Sequence, residues 1–335
     1  MDRSSAGEKG GANVDGLTLL LCENPLPPID AAIEAAEAVL PESNHYTEPH
    51  SAPLRELIAE RHDVAVDNVH VNAGSELILR QLFDRFGQQV HLLTPTYPLF
   101  TEIADSYTET RLQPENDFQF DLRDLEIPDG TSLIVLVNPN NPNGAALDMD
   151  PLPGLLTDHP DTLFLVDEAF VDFAERSVAP LVPVHDNLLV TQTLSKAHSL
   201  AGFRVGYAVL PGPLAADLNA SNDAYPLAKP SQAAAIATLE HEDAIRDRIQ
   251  RLRSWARDLA SELDALGVPT YPSQTYFFLA DFGPHDADEV ARKLRERNIF
   301  VKPLDDDRLG SGYMRVTTAQ PTDNDRVIEA LREIL

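Results

Sequence analysis

The chain has 335 residues, of which 43% are hydrophobic, enough to fill the cores of two domains. It carries 26 basic and 54 acidic residues, a formal net charge of −28, and such a surface repels the phosphates of nucleic acids. We therefore expect no nucleic-acid partner. The acidic excess fits either a high-salt cytoplasm, where screening weakens self-repulsion, or a charge that simply maintains solubility.

The sequence gives no signal for a membrane or for secretion. It has no run of about eighteen apolar residues, the length that crosses a bilayer, and its N-terminus lacks the apolar core of a signal peptide. The single cysteine, Cys22, cannot form an intramolecular disulfide and fits a reducing, cytoplasmic location. Residues 1–14 are rich in Gly and Ser and are predicted to be a disordered tail.

Apolar runs alternate with helical periods, as in a parallel sheet wrapped by helices. A strand is predicted from Leu17 to Cys22, with further strands at 90–93, 132–137, 162–166, 187–192, 276–280, 299–302 and 313–317. Helices are predicted at 31–40, 54–61, 76–86, 240–266, 287–297 and 323–335. We expect a large domain over residues 41–240 and a small domain over residues 241–335, with residues 15–40 associated with the small domain.

The stretch from Leu194 to Tyr207 contains the candidate reactive group, Lys196, followed eight residues later by Arg204. A lysine amine forms a Schiff base with a carbonyl, most readily when it is desolvated beside another cation. An arginine pairs with phosphate oxygens through its planar fork. The two residues fit an aldehyde with a phosphate tail, which describes pyridoxal phosphate, although the same spacing also arises by chance on many helices.

Three upstream stretches supply the other groups that this cofactor needs. Asp167 ends an apolar strand, and a carboxylate beside the ring nitrogen keeps that nitrogen protonated as an electron sink. Asn141 follows another apolar strand and offers a donor to the ring hydroxyl. Gly74, Ser75 and Glu76 read as a turn that opens a helix, whose backbone amides suit a phosphate. Open α/β sheets bind ligands at such strand ends, so the positions agree with one another.

On these motifs, and from about Asn24 to the C-terminus, the chain resembles the fold-type I pyridoxal-phosphate aminotransferases, especially the histidinol-phosphate aminotransferase branch. The resemblance implies an aspartate-aminotransferase-like α/β fold. Its large domain has a mostly parallel sheet wrapped by helices, and its smaller domain is α+β. The resemblance also implies amino and 2-oxo acid substrates, no metal site, and a homodimer with both active sites at the interface.

The resemblance assigns roles to individual residues. The implied catalytic residues are Lys196 and Asp167. The implied cofactor-binding residues are Gly74, Ser75, Glu76, Tyr97 stacked on the ring, Asn141, Asp167, Thr193, Ser195, Lys196, Arg204, and Tyr46 reaching in from the neighbouring subunit. The implied substrate-binding residues are Arg315, which grips a carboxylate or phosphate, Lys302, which assists with a phosphate, and Asn24 at the active-site entrance.

Several positions depart from the family's pattern and leave the substrate open. Phe170 stands where the family usually has a tyrosine that contacts the ring oxygen, and the string around it is similar to threonine-phosphate decarboxylases. Lys302 replaces an arginine, which loses bidentate geometry. An asparagine that is common at Tyr276 is missing. His198 occupies a normally aromatic or apolar position, as a core histidine or as a group that titrates near the Schiff base.

Three enzymatic functions remain open at this point. The default is an aminotransferase acting on histidinol phosphate and glutamate. The alternatives are a threonine-phosphate-type decarboxylase and an aromatic or aliphatic amino-acid aminotransferase on the same fold. A non-enzymatic relative is disfavoured because the chain keeps Lys196.

Overall fold

The computed structural model describes residues 16–174, 176–304 and 306–335, so the tail predicted over residues 1–14 lies outside the described residues. The strands are β1 (Leu17–Thr18), β2 (Val69–Asn72), β3 (Val90–Thr94), β4 (Tyr107–Arg111), β5 (Leu133–Val137), β6 (Leu163–Asp167), β7 (Leu188–Thr193), β8 (Gly206–Val209), β9 (Phe277–Asp281), β10 (Ile299–Phe300), β11 (Lys302–Pro303) and β12 (Tyr313–Thr317). The α-helices are α1 (Asp30–Val39), α2 (Ala52–His62), α3 (Ser75–Phe86), α4 (Leu99–Ile103), α5 (Leu152–Asp158), α6 (Gly212–Ser221), α7 (Lys229–Leu239), α8 (Glu242–Ala265), α9 (Ala287–Arg295) and α10 (Pro321–Ile334). Within this part of the chain, no helix combines the length and the apolar character that a bilayer crossing needs.

Seven strands form the large sheet in the order β2-β8-β7-β6-β5-β3-β4. β8 is antiparallel to both of its neighbours, and the other pairs are parallel. Central strands of such sheets are covered on both faces and are therefore apolar throughout. In β5, Leu133 and Val135 pack with α3 and α6, while Ile134 and Leu136 pack with α5. The predicted α/β fold with a mostly parallel sheet is confirmed.

The remaining strands form two smaller sheets. β11, β12 and β9 are antiparallel, and β1 pairs in parallel with β10. Helix α8 connects this part to the large sheet, because Ile245 and Leu252 pack with the large-domain core while Leu259 and Leu263 pack around Phe278. We propose that a domain boundary lies along α8.

The N-terminal segment divides between the two parts. β1 pairs with β10, whereas α1 packs against α7 and contributes Ala32 and Ala36 to the core that also contains Val69 and Val71 of β2. We therefore propose that only the first residues of the 15–40 segment associate with the small domain.

Two strand predictions were wrong in their extent. The strand predicted from Leu17 to Cys22 ends at Thr18, because the carbonyls of residues 20–22 accept hydrogen bonds from distant side chains instead of continuing a ladder. The strand predicted over 299–302 divides in two. Its first half pairs with β1, and its second half, β11, pairs with β12.

The large sheet brings the candidate cofactor groups together. β3, β5, β6 and β7 are consecutive parallel neighbours, so their carboxyl ends lie at one edge. Tyr97 follows β3, Asn141 follows β5, Asp167 ends β6 and Lys196 follows β7. The sheet therefore places all four residues at the edge where the sequence predicts a binding site.

Candidate active site

Lys196 lies partly buried in the loop after β7. Its Nζ donates hydrogen bonds to the carbonyl oxygens of Leu21, at 2.8 Å, and Cys22, at 3.3 Å. Desolvation lowers the pKa of this amine, and the nearby positive charges of Arg315 and Arg204 act in the same direction. A lowered pKa favours the neutral amine, which is the form that attacks a carbonyl carbon.

Asn24 holds the backbone of the loop that carries Lys196. Its Nδ2 donates to the carbonyl oxygen of Lys196 at 2.9 Å and to that of Ala197 at 3.3 Å. Its Oδ1 accepts from the backbone amide of Leu26 at 3.0 Å. Because the amide is engaged in this way, we propose that Asn24 positions the lysine loop instead of contacting the substrate.

Asp167 is buried at the end of β6. Its Oδ1 accepts a hydrogen bond from Thr191 Oγ1 at 3.1 Å. Burial raises its pKa to about 6, while the hydrogen bonds from Thr191 and the Ala169 backbone and the charge of Lys196 act to lower it. A buried carboxyl in this environment is suited to one strong, charge-assisted hydrogen bond with a protonated ring nitrogen.

The neighbouring carboxyl of Glu168 makes different contacts. It accepts hydrogen bonds from Ser177 Oγ at 2.6 Å, the Val178 amide at 2.8 Å and Gln192 Nε2 at 2.6 Å. Burial raises the pKa of Glu168 to about 7. Its oxygens are thus occupied by protein donors, and Asp167 is the better candidate for a ring nitrogen.

Two glycines form a cradle at the start of α3. Gly74 has a φ of 91°, and a Cβ there would lie 2.4 Å from Nη2 of Arg204. A Cβ at Gly206 would lie 2.0 Å from the backbone nitrogen of Ser75. The missing side chain at Gly74 lets the Arg204 guanidinium lie beside the start of this 12-residue helix, and the missing side chain at Gly206 leaves room for the Ser75 backbone amide. Guanidinium and helix amides together suit a phosphate, which matches the tail of pyridoxal phosphate.

The remaining predicted phosphate ligands differ in what they offer. Thr193 Oγ1 lies 2.9 Å from Ser195 Oγ and 3.1 Å from the carbonyl oxygen of Val205, which accepts from it, so the Thr193 hydroxyl is engaged by the protein. The Glu76 carboxylate accepts from Arg80 Nη2 at 2.8 Å on the exposed face of α3. The Glu76 side chain is therefore turned to Arg80, and its contribution to an anion site is its backbone amide.

Arg315 projects from β12 towards the large sheet. Its Nη1 donates to Asn141 Oδ1 at 2.8 Å, and its guanidinium carbon lies 5.7 Å from the ring centre of Phe277. Its Nε is buried and has no hydrogen-bond partner among the described residues. With Oδ1 of Asn141 accepting from Arg315, the Nδ2 of Asn141 is the group left to donate to a ligand.

Lys302 stands directly opposite Arg315 in the antiparallel pair of β11 and β12. Opposite residues of such a pair place their side chains on the same face of the sheet, with Cβ atoms about 5 Å apart. Lys302 is exposed, whereas Arg315 is buried. The pair provides an inner and an outer cation on one face.

The two predicted tyrosine ligands lie in different environments. Tyr97 is half-buried, and burial raises its pKa to about 12, with smaller effects from the charges of Glu76 and Asp167. Tyr46 is 79% exposed and stacks on Tyr225 with ring centroids 4.4 Å apart. Tyr97 thus belongs to the sheet edge, while Tyr46 lies on the surface of the single chain.

The departures from the family's pattern have packing roles in the structure. Phe170 is buried edge-on against Phe277, with ring centroids 4.8 Å apart, and Lys196 Nζ lies 5.5 Å from the Phe170 ring centre. His198 is buried with Nδ1 3.5 Å from Asp172 Oδ2, and burial lowers its pKa. These are the contacts of a core histidine.

Among the described residues, no group of three or more His, Cys, Asp or Glu side chains could hold a metal ion.

Sequence reasoning missed three contributors to this site. Thr191 donates a hydrogen bond to Asp167. Residues two apart on a strand face the same side of the sheet, so the position of Thr191 two residues before Thr193 on β7 is a sequence signal for it. The carbonyls of Leu21 and Cys22 accept from the Lys196 amine, and the Tyr276 hydroxyl donates to the second of them. No sequence signal identifies those carbonyls, because every residue has one.

Comparison with known proteins agrees with this geometry. The family model "Aminotransferase class I and II" matches residues 18–331. A histidinol-phosphate aminotransferase of Acinetobacter baumannii (strain SDF) is 33% identical over 325 residues, which is 93% of this chain and 89% of that protein.

Two solved structures share the fold. A histidinol-phosphate aminotransferase of Sinorhizobium meliloti in complex with pyridoxal-5'-phosphate superposes with a TM-score of 0.85 at 21% identity, covering 95% of this chain and 92% of the other. The L-threonine-O-3-phosphate decarboxylase of Porphyromonas gingivalis has a TM-score of 0.85 at 24% identity, covering 95% and 99%. The resemblance predicted from the sequence is confirmed, and the chain belongs to the aminotransferase class I and II family.

Proposed function

We propose that this protein is a pyridoxal-phosphate-dependent histidinol-phosphate aminotransferase, with glutamate and 2-oxoglutarate as the second substrate pair. Membership of the family confirms the aminotransferase class and the cofactor. The single observation that carries the proposal is the convergence of Lys196, Asp167 and the Arg204 cradle at one sheet edge. The relatives named histidinol-phosphate aminotransferase support the choice of substrate.

The residues at the sheet edge fit each part of the cofactor. When bound, pyridoxal phosphate supplies an aldehyde that bonds amines and a pyridine ring that accepts electrons. Arg204, Ser195 and the first amides of α3 would hold the phosphate. Asn141 Nδ2 would donate to the ring oxygen, and Tyr97 would contact the pyridine ring. Phe170 offers no hydroxyl, so Asn141 is the donor to this oxygen.

Two residues control protons during the reaction. Lys196 would hold the cofactor through its amine, and the free amine would serve as general base and acid for the proton on the substrate Cα. Asp167 keeps a proton on the ring nitrogen through a charge-assisted hydrogen bond. Its burial excludes water from that bond.

Arg315 and Lys302 are the proposed anion-binding residues for both substrates. Histidinol phosphate carries a phosphate where glutamate carries a carboxylate, so one centre must accept both anions. A single guanidinium pairs with either anion. A second cation favours the phosphate, which has close to two negative charges at neutral pH. Lys302 is therefore the proposed source of preference for phosphorylated substrates.

Substitution of the two cations separates their roles. Arg315→Ala is expected to impair every substrate, because losing a charge-assisted contact to a desolvated anion costs about 2–5 kcal/mol. Lys302→Ala is expected to lower kcat/KM for histidinol phosphate more than for glutamate. The measurement is kcat/KM for both substrates in both variants.

The matched control is Lys293→Ala on α9, whose ammonium lies 3.9 Å from Glu289 of the same helix. It removes one lysine charge from the small domain and should leave the ratio of the two kcat/KM values unchanged. If Lys302→Ala also leaves that ratio unchanged, Lys302 is not a phosphate ligand, and a general aromatic or aliphatic aminotransferase becomes the better assignment.

The proposed assembly is a homodimer in which Tyr46 reaches the cofactor phosphate of the neighbouring subunit. The 79% exposure of Tyr46 and its stacking on Tyr225 support this arrangement, since an exposed aromatic pair is available to a partner. Leu40 and Leu77 are further exposed apolar side chains. A cytoplasmic location is also proposed, on the basis of the buried free thiol of Cys22.

A further inference from the structure

The Lys196 amine is hydrogen-bonded to a short stretch of backbone, the carbonyl segment (residues 20–22). It donates to the oxygens of Leu21 and Cys22 at 2.8 and 3.3 Å. The Cys22 oxygen also accepts a hydrogen bond from the hydroxyl of Tyr276 at 2.5 Å. A buried tyrosine and the reactive lysine therefore share one acceptor, and the place of the amine depends on how that carbonyl is oriented.

The backbone of Cys22 needs external support to keep this orientation. Its φ of 48° lies in the left-handed region, where the Cβ of an L-residue comes too close to the carbonyl oxygen. Such conformations persist only where surrounding contacts determine them. The Cys22 side chain is buried, and its Sγ accepts from Thr317 Oγ1 at 3.6 Å. Of the two donors to the Cys22 carbonyl, Tyr276 makes the shorter hydrogen bond, at 2.5 Å against 3.3 Å for Lys196.

Tyr276 is built as a rigid donor. Its side chain is fully buried, and its ring packs against Phe173 and Phe170 with centroid distances of 5.0 and 6.1 Å. Burial raises the pKa of Tyr276 well above its ordinary value, so the hydroxyl keeps its proton and donates throughout the physiological pH range. The aromatic packing fixes the position of the donor, and the donor fixes the carbonyl.

We infer that Tyr276 is a positioning residue for Lys196. Tyr276 holds the Cys22 carbonyl, so that the lysine amine has a defined position between proton transfers. This inference rests on the proposed function, in which the released amine of Lys196 carries the proton. The two carbonyls also stabilise the charged form of the amine, in opposition to desolvation. The charged and titratable groups around the amine are Cys22, Glu23, Asp167, Arg204 and Arg315, and removing the Tyr276 hydroxyl changes none of them.

The test is Tyr276→Phe in the full-length protein. The pKa of Lys196 is measured from the pH dependence of acetic anhydride labelling, without added cofactor, followed by mass spectrometry of the Lys196 peptide. We expect this pKa to fall, because the Cys22 backbone relaxes and the ammonium loses an acceptor. In the cofactor-loaded enzyme we expect kcat to fall about tenfold with KM within about twofold, as for one lost hydrogen bond.

Tyr271→Phe is the matched control. The Tyr271 hydroxyl bonds that of Tyr313 at 3.2 Å and does not touch the carbonyl segment. The Tyr271→Phe substitution should leave the pKa of Lys196 and kcat unchanged. An unchanged or raised Lys196 pKa in Tyr276→Phe overturns the inference. A raised pKa would mean that the Cys22 carbonyl, once released by Tyr276, stays in place and bonds the lysine ammonium more strongly.

A second pair of variants tests the backbone mechanism without altering Tyr276. Glycine adopts positive φ freely, whereas a β-branched residue does not. Both substitutions remove the thiol, whose charge acts to raise the Lys196 pKa, so the two variants are compared with each other, and Cys22→Val is expected to have the lower Lys196 pKa. Equal values in the two variants contradict the mechanism. These labelling results do not depend on the substrate, so they remain interpretable if histidinol phosphate proves not to be turned over.

Discussion

Lys196→Ala is expected to abolish transamination and the covalent attachment of pyridoxal phosphate. Lys196 is the proposed reactive amine at the sheet edge, and its pKa is lowered by desolvation. Loss of a positioned general base alone costs about 10²–10⁴-fold, and the loss of covalent attachment removes a second contribution. We therefore expect the rate with histidinol phosphate and 2-oxoglutarate to fall by at least about 10⁴-fold.

Borohydride reduction with peptide mapping provides the direct readout. In the unsubstituted enzyme, the reduced cofactor should be found on the peptide that contains Lys196. Lys229→Ala is the matched control, because Lys229 pairs with Glu42 at 2.8 Å on the surface. Reducible cofactor retained by Lys196→Ala would refute the assignment of Lys196.

Asp167→Ala is expected to have the second largest effect. Without the carboxylate the ring nitrogen loses its proton, and an unprotonated pyridine is a poor electron sink. Removing one such electrostatic contact from a buried site costs about 10²–10³-fold in kcat. Asp167 is nearly fully buried and thus shielded from bulk solvent, so we expect kcat to fall in this range while the fold is kept.

The neighbouring carboxyl provides the control for this prediction. Glu168→Gln changes a buried carboxyl one residue away, whose oxygens bond Ser177, Val178 and Gln192. Circular dichroism and Tm check that both variants fold. We expect Glu168→Gln to keep most of the catalytic rate. If Asp167→Ala retains near-normal activity and Glu168→Gln does not, then Glu168 holds the ring nitrogen.

The sequence was sufficient to predict the sheet edge because its signals are local. Strands β5 and β6 are uninterrupted apolar runs, and the polar residues Asn141 and Asp167 stand at or just beyond their ends. Parallel order then brings these ends together. The glycine at position 74 marks the turn before α3, and its φ of 91° is the physical reason for glycine there.

Other features depend on contacts that the sequence does not encode locally. Strand β4 reads Tyr-Thr-Glu-Thr-Arg, without an apolar run, and it forms because it pairs with β3 at the edge of the sheet. The bend after Thr18 depends on donors from Lys196 and Tyr276, far away in the chain. The amide of Asn24 bonds the lysine loop for the same tertiary reason.

The most direct test of the proposed function is a half-reaction recorded by absorbance. The cofactor-loaded enzyme is mixed with stoichiometric L-histidinol phosphate in the absence of any 2-oxo acid. An aminotransferase converts the bound cofactor to its amino form, so the absorbance band should shift to shorter wavelength, and 2-oxoglutarate should restore it. An unchanged spectrum with histidinol phosphate, together with release of carbon dioxide from O-phosphothreonine, would contradict the proposal and favour a decarboxylase.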